Sequence, residues 1–228
     1  MYLIFSYGMP KSASSFAWML IKQIASENGN KLVSLSSAAK GNPSVEDYLD
    51  GSAAADMHLV CKEIGDDWCV VKTHADSQPF KMIASRAENY TVFIQHRDPR
   101  EIALSLLDHA KKSRKLGLRD FADCVDIDTC LPTIDSAMRN FFDWLQEPSA
   151  FTISYNELCF DTTNTIEKIK EKFSSHVSTE KILAQFSDKT AIIQYNKGQK
   201  GRYSAEMSSA DSRMFLERYQ NYYAHFGE

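Results

Sequence analysis

A chain of 228 residues with a net charge of −4, 43% apolar and 25% charged, can bury an ordinary core and is expected to form a single domain, 1–228. The acidic balance argues against nucleic acid or an anionic membrane as the main partner, and no apolar run reaches spanning length. Five cysteines (Cys61, Cys69, Cys124, Cys130, Cys159) include no C-x-x-C pair, and their odd number speaks against a disulfide framework, so a reducing cytoplasm is the expected compartment.

The chain opens on an apolar strand, Tyr2 to Phe5, followed by the small-residue stretch Tyr7-Gly-Met-Pro-Lys-Ser-Ala-Ser-Ser-Phe16 and a helix beginning near Ser14. Lys31 to Leu35 reads as a short strand. Ser36 to Asp56 is a polar connection with a short helix around Val45 to Leu49, and Ala53 to Ile64 reads as a helix. Trp68 to Thr73 and Tyr90 to Gln95 are nearly unbroken β-rich runs of the kind buried in parallel sheets. Asp98 and Pro99 then supply an N-cap and a first-turn proline for a helix that buries Ile102, Ala103, Leu106, Leu107 and Ala110.

Leu131 to Leu145 repeats the helical pattern, and Phe151 to Ser154 is a fourth strand. Helices are expected over Asn164 to Phe173, with Asn164 and Glu167 spaced as a capping box, over Thr179 to Phe186, and over Ser209 to Phe226. Strands alternating with helices imply an α/β fold of three layers, a central parallel sheet flanked by helices. In such sheets ligands bind beyond the carboxyl ends of the strands. The chemistry-bearing motifs of this chain lie there.

Strand, tight turn and helix aim backbone N–H groups at an anion, and Lys11 with Ser12, Ser14 and Ser15 adds a charge and three hydroxyls. The expected ligand is a phosphate or phosphosulfate. A nucleotide-kinase loop would place its lysine last, as G-x-x-x-x-G-K-[ST]; here lysine comes first. A second motif, Val70-Val-Lys72-Thr-His74, ends a buried strand, with Lys72 on the face that carries His74. A buried lysine is costly unless it meets an anion. In a third, Arg97 leaves a strand and Ser105 follows by eight positions on the next helix.

Pro10-Lys11-Ser12-Ala13-Ser14-Ser15-Phe16 resembles, position for position, the Pro-Lys-Ser-Gly-Thr-Thr-Trp opening of the cytosolic sulfotransferases, with Ala13 in place of glycine. A Cβ there would crowd a close approach if φ is positive. Lys72-Thr-His74 and Arg97-Asp-Pro-Arg-Glu-Ile-Ala-Leu-Ser105 are similar to two more of that family's motifs. Ile153-Ser-Tyr155-Asn-Glu-Leu158 and Asn196-Lys197-Gly198-Gln-Lys-Gly201-Arg-Tyr203 are weaker matches, the second lacking the family's arginine at Asn196.

The resemblance implies a P-loop-like domain that uses 3′-phosphoadenylyl sulfate (PAPS) as co-substrate. In it, His74 is the general base and Lys72 assists the departing phosphate. Arg97 and Ser105 hold the 3′-phosphate, Tyr155 lies beside the nucleotide, and Lys197 and Gly198 belong to a flap. Lys11 and the amides of Ala13 to Ser15 would hold the 5′ end, and Phe16 would stack on adenine. An imidazole near its usual pKa of about 6.5 suits a base at cytoplasmic pH. No metal is expected. The acceptor, a small molecule bearing a hydroxyl or amine, is not legible; its pocket would draw on Ser34 to Asp56, His74 to Phe80 and Asp108 to Asp128. Lys111 to Lys115 reads as a solvated helix end or, less often, as a contact for an acidic acceptor. A monomer or homodimer is expected. The alternatives are a degenerate nucleotide-binding module, for which Ala13 and Asn196 speak, and a P-loop kinase.

Overall fold

The computed structural model describes residues 1–35, 47–49, 62, 64–85, 87, 89–187 and 198–227. They fall into two compact units: Met1–His96 with Arg139–Asn196, and Arg97–Met138 with Lys197–Glu228.

The first unit is built on a parallel sheet of β1 (Tyr2–Gly8), β2 (Trp68–Thr73), β3 (Asn89–His96) and β4 (Ala150–Ser154), in the order β2-β1-β3-β4. Register pairs Ser6 with Lys72 and Gly8 with Gln95, so the strands reach the same edge together. Side chains alternate between the faces. Ile4, Val70, Phe93 and Ile153 face one way and pack on α1 (Ser14–Glu27), chiefly through Ala17, Leu20, Ile21 and Ile24. Ile166 and Ile169 of α6 (Thr162–Lys172) and Ile182 of α7 (Thr179–Gln185) complete that layer. On the other face Phe5 meets Phe80 of α2 (Gln78–Ala84) and Trp144 of α4 (Ile127–Leu145), with ring centroids 5.6 and 5.7 Å apart. Tyr7 stacks on Trp144. This is the three-layer parallel arrangement expected from the alternating pattern.

The second unit contains α3 (Pro99–Lys115), the start of α4, α8 (Tyr203–Glu206), α9 (Ser209–Arg218) and α10 (Gln220–Phe226). The Asp98 carboxylate accepts from the Arg100 amide at 2.8 Å, and Pro99 opens the helix, as the sequence requires.

Several expectations are corrected. Lys31 to Leu35 is no strand; Leu32 makes one isolated bridge to Trp68. Tyr48 is bridged to Lys72 rather than helical, and most of the helix expected over 53–64 lies outside the described residues. The Asn164–Glu167 box does not form. Asn164 donates to the Asp161 carboxylate at 2.9 Å, and Glu167 is taken by Thr179 and Lys170. The capping box belongs instead to Ser154 and Glu157, at the start of a short α5 (Tyr155–Phe160). The terminal helix breaks at Tyr219, whose hydroxyl donates to Asp135 beside the Arg218–Asp135 ion pair. There a tertiary anchor overrides an unbroken helical periodicity.

Candidate active site

In the first unit the inner face changes character toward the strands' carboxyl ends, where Ser6, Lys72 and Gln95 succeed Ile4, Val70 and Phe93. The turn between β1 and α1 sits over this edge. Met9 N–H donates to the Gln95 carbonyl at 2.9 Å, and Lys11 and Ala13 both take left-handed backbone, φ 65° and 63°. Each such residue costs about 1–2 kcal/mol without a glycine's freedom. The condition that made Ala13 a concern in the sequence is therefore met. Gly8 has no such latitude to lose: a Cβ on it would lie 2.2 Å from the Ser14 Cβ, because strand end and helix start touch.

The serines divide their work. Ser12 is fully buried and its hydroxyl donates to the Met9 carbonyl at 2.7 Å, so it shapes the turn instead of offering its proton outward. Ser15 accepts from the Lys72 ammonium at 2.6 Å. Ala13, the residue before α1, provides no side-chain cap, and the first turn of the helix carries no acidic residue. Its amides thus point a positive dipole end past a turn that already carries Lys11. Phe16 is nearly buried, edge-on to Phe186.

Lys72 and His74 end β2 and follow it. Burial, with Lys11 nearby, pulls the Lys72 ammonium down to about 8. His74 Nδ1 lies 2.5 Å from the Gly8 carbonyl. A carbonyl only accepts, so Nδ1 carries the proton and Nε2 keeps its lone pair. Burial first, then Lys72 and Lys11, pushes His74 down to about 4. The imidazole is neutral at pH 7 by a wider margin than its ordinary value implies. Its backbone is held as well: Asn140 donates to the His74 carbonyl at 3.1 Å and Trp144 to that of Ala75 at 2.9 Å. Tyr48 tilts its ring against the imidazole at 5.7 Å.

The sequence reading missed Gln95. It is fully buried, its Oε1 accepts from Ser6 at 3.2 Å, and its Nε2 has no hydrogen-bond partner among the described residues. Its signal was present, a polar residue closing an apolar strand. His96 next to it is buried, is lowered to about 4 by burial and leans on Phe141.

In the second unit Arg97 and Ser105 are both buried. Arg97 Nη2 donates to Glu101 at 2.8 Å and to the Gln199 carbonyl at 3.1 Å. Gly198 and Gly201 take left-handed backbone, φ 60° and 69°, which explains both glycines of the late motif. Asn196 and Lys197 lie outside the described residues. Tyr155, in the first unit, is buried at the first position of α5 and meets Phe160 edge-on. In the 111–115 run, Arg114 is spent on the carbonyls of Ala122 and Cys124.

Among the described residues no group of His, Cys, Asp and Glu is arranged to hold a metal, and no helix is long and apolar enough to cross a membrane. No protein-family model and no curated protein matches the sequence. Solved structures do match. Retinol dehydratase in complex with androsterone and inactive cofactor PAP superposes with a TM-score of 0.64 at 13% identity, over 97% of this chain and 80% of the other. Mouse sulfotransferase SULT7A1 complexed with PAP gives 0.66 at 16% identity, over 94% and 82%. The chain has the sulfotransferase fold. At these identities the likeness is one of backbone, and it leaves the roles of individual side chains to be argued from their chemistry.

Proposed function

We propose that this chain is a PAPS-dependent sulfotransferase that moves a sulfuryl group onto the hydroxyl or amine of a small-molecule acceptor. The observation that carries the reading is the His74 Nδ1–H bond to Gly8, beside Lys72 and under an uncapped helix start. It leaves a basic Nε2 next to two ammonium groups. The turn fits an anionic donor: the start of α1 carries no acidic residue, and Lys72 meets a hydroxyl where a buried cation would otherwise call for a carboxylate.

PAPS supplies an activated sulfuryl group and a phosphate leaving group. His74 Nε2 accepts the acceptor's proton as the new bond to sulfur forms, and Lys11 and Lys72 balance the charge that accumulates on the departing phosphate. The amides of Ala13 to Ser15 and the Ser14 and Ser15 hydroxyls bind the 5′ end, and Phe16 borders the adenine. Arg97, Ser105, Lys197 and Gly198 are assigned to the 3′-phosphate, and Tyr155 to the nucleotide's flank. Arginine suits phosphate because its planar fork engages two oxygens. We assign the protein to the cytoplasm, as a monomer or homodimer.

Thermal-shift titration with adenosine 3′,5′-bisphosphate against ATP–magnesium tests the reading, the bisphosphate being expected to stabilise more at equal concentration. A preference for ATP–magnesium would refute it. The strained backbone at Ala13 favours a second reading, a nucleotide-binding module without turnover. Sulfuryl transfer to any member of an acceptor panel separates the two.

A further inference from the structure

In the second unit the Glu101 carboxylate is buried and uses both oxygens: Oε2 accepts from Arg97 Nη2 at 2.8 Å, and Oε1 accepts from the Tyr203 backbone N–H at 3.1 Å. Glu101 stands in the first turn of α3, where the helix dipole favours a negative charge. Tyr203 opens α8, so the N–H it offers has no partner within its own helix. Arg97 Nη2 also reaches the Gln199 carbonyl, and the Arg100 guanidinium lies 3.7 Å from the centre of the Tyr203 ring. Arg97 and the start of α3 therefore grip the 199–203 segment at three points, and Glu101 bonds both the segment and Arg97. The helix start and the segment are about a hundred residues apart in the chain.

We propose that Glu101 is a positioning residue for nucleotide recognition. It fixes one edge of the Arg97 guanidinium and latches the late glycine segment to it, so that Arg97 meets a 3′-phosphate in one orientation. The inference rests on the sulfotransferase reading, which assigns Arg97 to that phosphate. Orientation and charge oppose each other here. A carboxylate on Arg97 weakens its pull on a phosphate, whereas a guanidinium held in place loses less rotamer entropy on binding. The second bond, to a backbone amide, decides for orientation, because it contributes nothing to neutralising Arg97.

Glu101→Gln keeps the shape but sets an amide NH₂ against one of two donors, which removes one of the two bonds. Losing a charge-assisted hydrogen bond predicts about tenfold weaker binding of adenosine 3′,5′-bisphosphate by calorimetry, with adenosine 5′-monophosphate binding unchanged. In an Arg97→Ala background the same substitution should have no further effect on the bisphosphate. Equal losses for both nucleotides, tighter bisphosphate binding, or additivity with Arg97→Ala would each overturn the role. If the unaltered protein does not prefer bisphosphate to monophosphate, the functional reading itself is wrong and this inference falls with it. Glu101→Asp, which keeps the charge and shortens the arm, serves the same comparison if the glutamine variant does not fold.

Discussion

Two helices of this protein begin just after a strand, and they begin in opposite ways. The residue before α1 is an alanine in left-handed backbone, without a side-chain cap or an acid in the first turn, and the Lys72 ammonium bonds Ser15 of that turn. Before α3 stands Asp98, which caps the helix, followed by Pro99 and the buried Glu101 in ion pair with Arg97. One start leaves a positive dipole end facing cations; the other is closed by carboxylates from within the chain. The start of α1 is where we propose that an anion from outside binds. The closed one carries the Arg97–Glu101 ion pair.

The largest effect should come from the reactive side of the open start. His74→Ala is expected to lower kcat by roughly 10²–10⁴-fold while leaving the binding of adenosine 3′,5′-bisphosphate intact. An unchanged rate would remove the imidazole from the chemistry.

Next comes pH. Lys72, lowered to about 8, loses its proton as pH rises through that value, so kcat/KM should fall roughly tenfold per unit above it. His74, lowered to about 4, sets the acid limb, since it must be neutral to act. Between them the profile should be flat, and Lys72→Arg, always charged, should abolish the alkaline fall. The stability sign follows from the same depression. The folded form of Lys72 binds fewer protons than the unfolded form between its folded value and about 10.4, so its contribution to stability rises with pH across that window. A titration curve with one limb near 6.5 would show that burial does not govern His74.

Gly8→Ala pushes a Cβ against the Ser14 Cβ at 2.2 Å and moves the carbonyl that orients His74. Overpacking predicts a loss of about 1–3 kcal/mol, read as a lower denaturant midpoint, together with weaker nucleotide binding. If the midpoint holds, strand end and helix start are not in contact. The smallest effect is Ala13→Gly. Relief of left-handed strain, about 1–2 kcal/mol, outweighs the roughly 0.4–1 kcal/mol of added freedom in the unfolded chain, so a slight rise in midpoint is expected. A fall would mean that the alanine methyl packs usefully.

Much of this was legible in the chain. Unbroken apolar runs mark β1 to β3 because parallel strands are buried on both faces, and Asp98-Pro99 marks the start of α3 because cap chemistry is local. The positions of Lys11, Lys72, His74 and Arg97 at strand ends follow from the same patterning. Partners were not legible. The tautomer of His74 depends on a carbonyl 66 residues away, and its depressed pKa on burial and on Lys72 and Lys11. Ser12 turned inward, Gln95 came to lie beside the turn, and Glu101 found Tyr203 102 residues on.

The amino-acid order alone thus determined the four strands of the sheet and the capped start of α3, since period and capping are properties of neighbours. Only the folded chain decided which nitrogen of His74 is basic, which serine serves the turn, and which carboxylate steadies Arg97. Those outcomes depend on contacts between segments distant in the chain, and hydrophobic periodicity reports only which face of an element is buried.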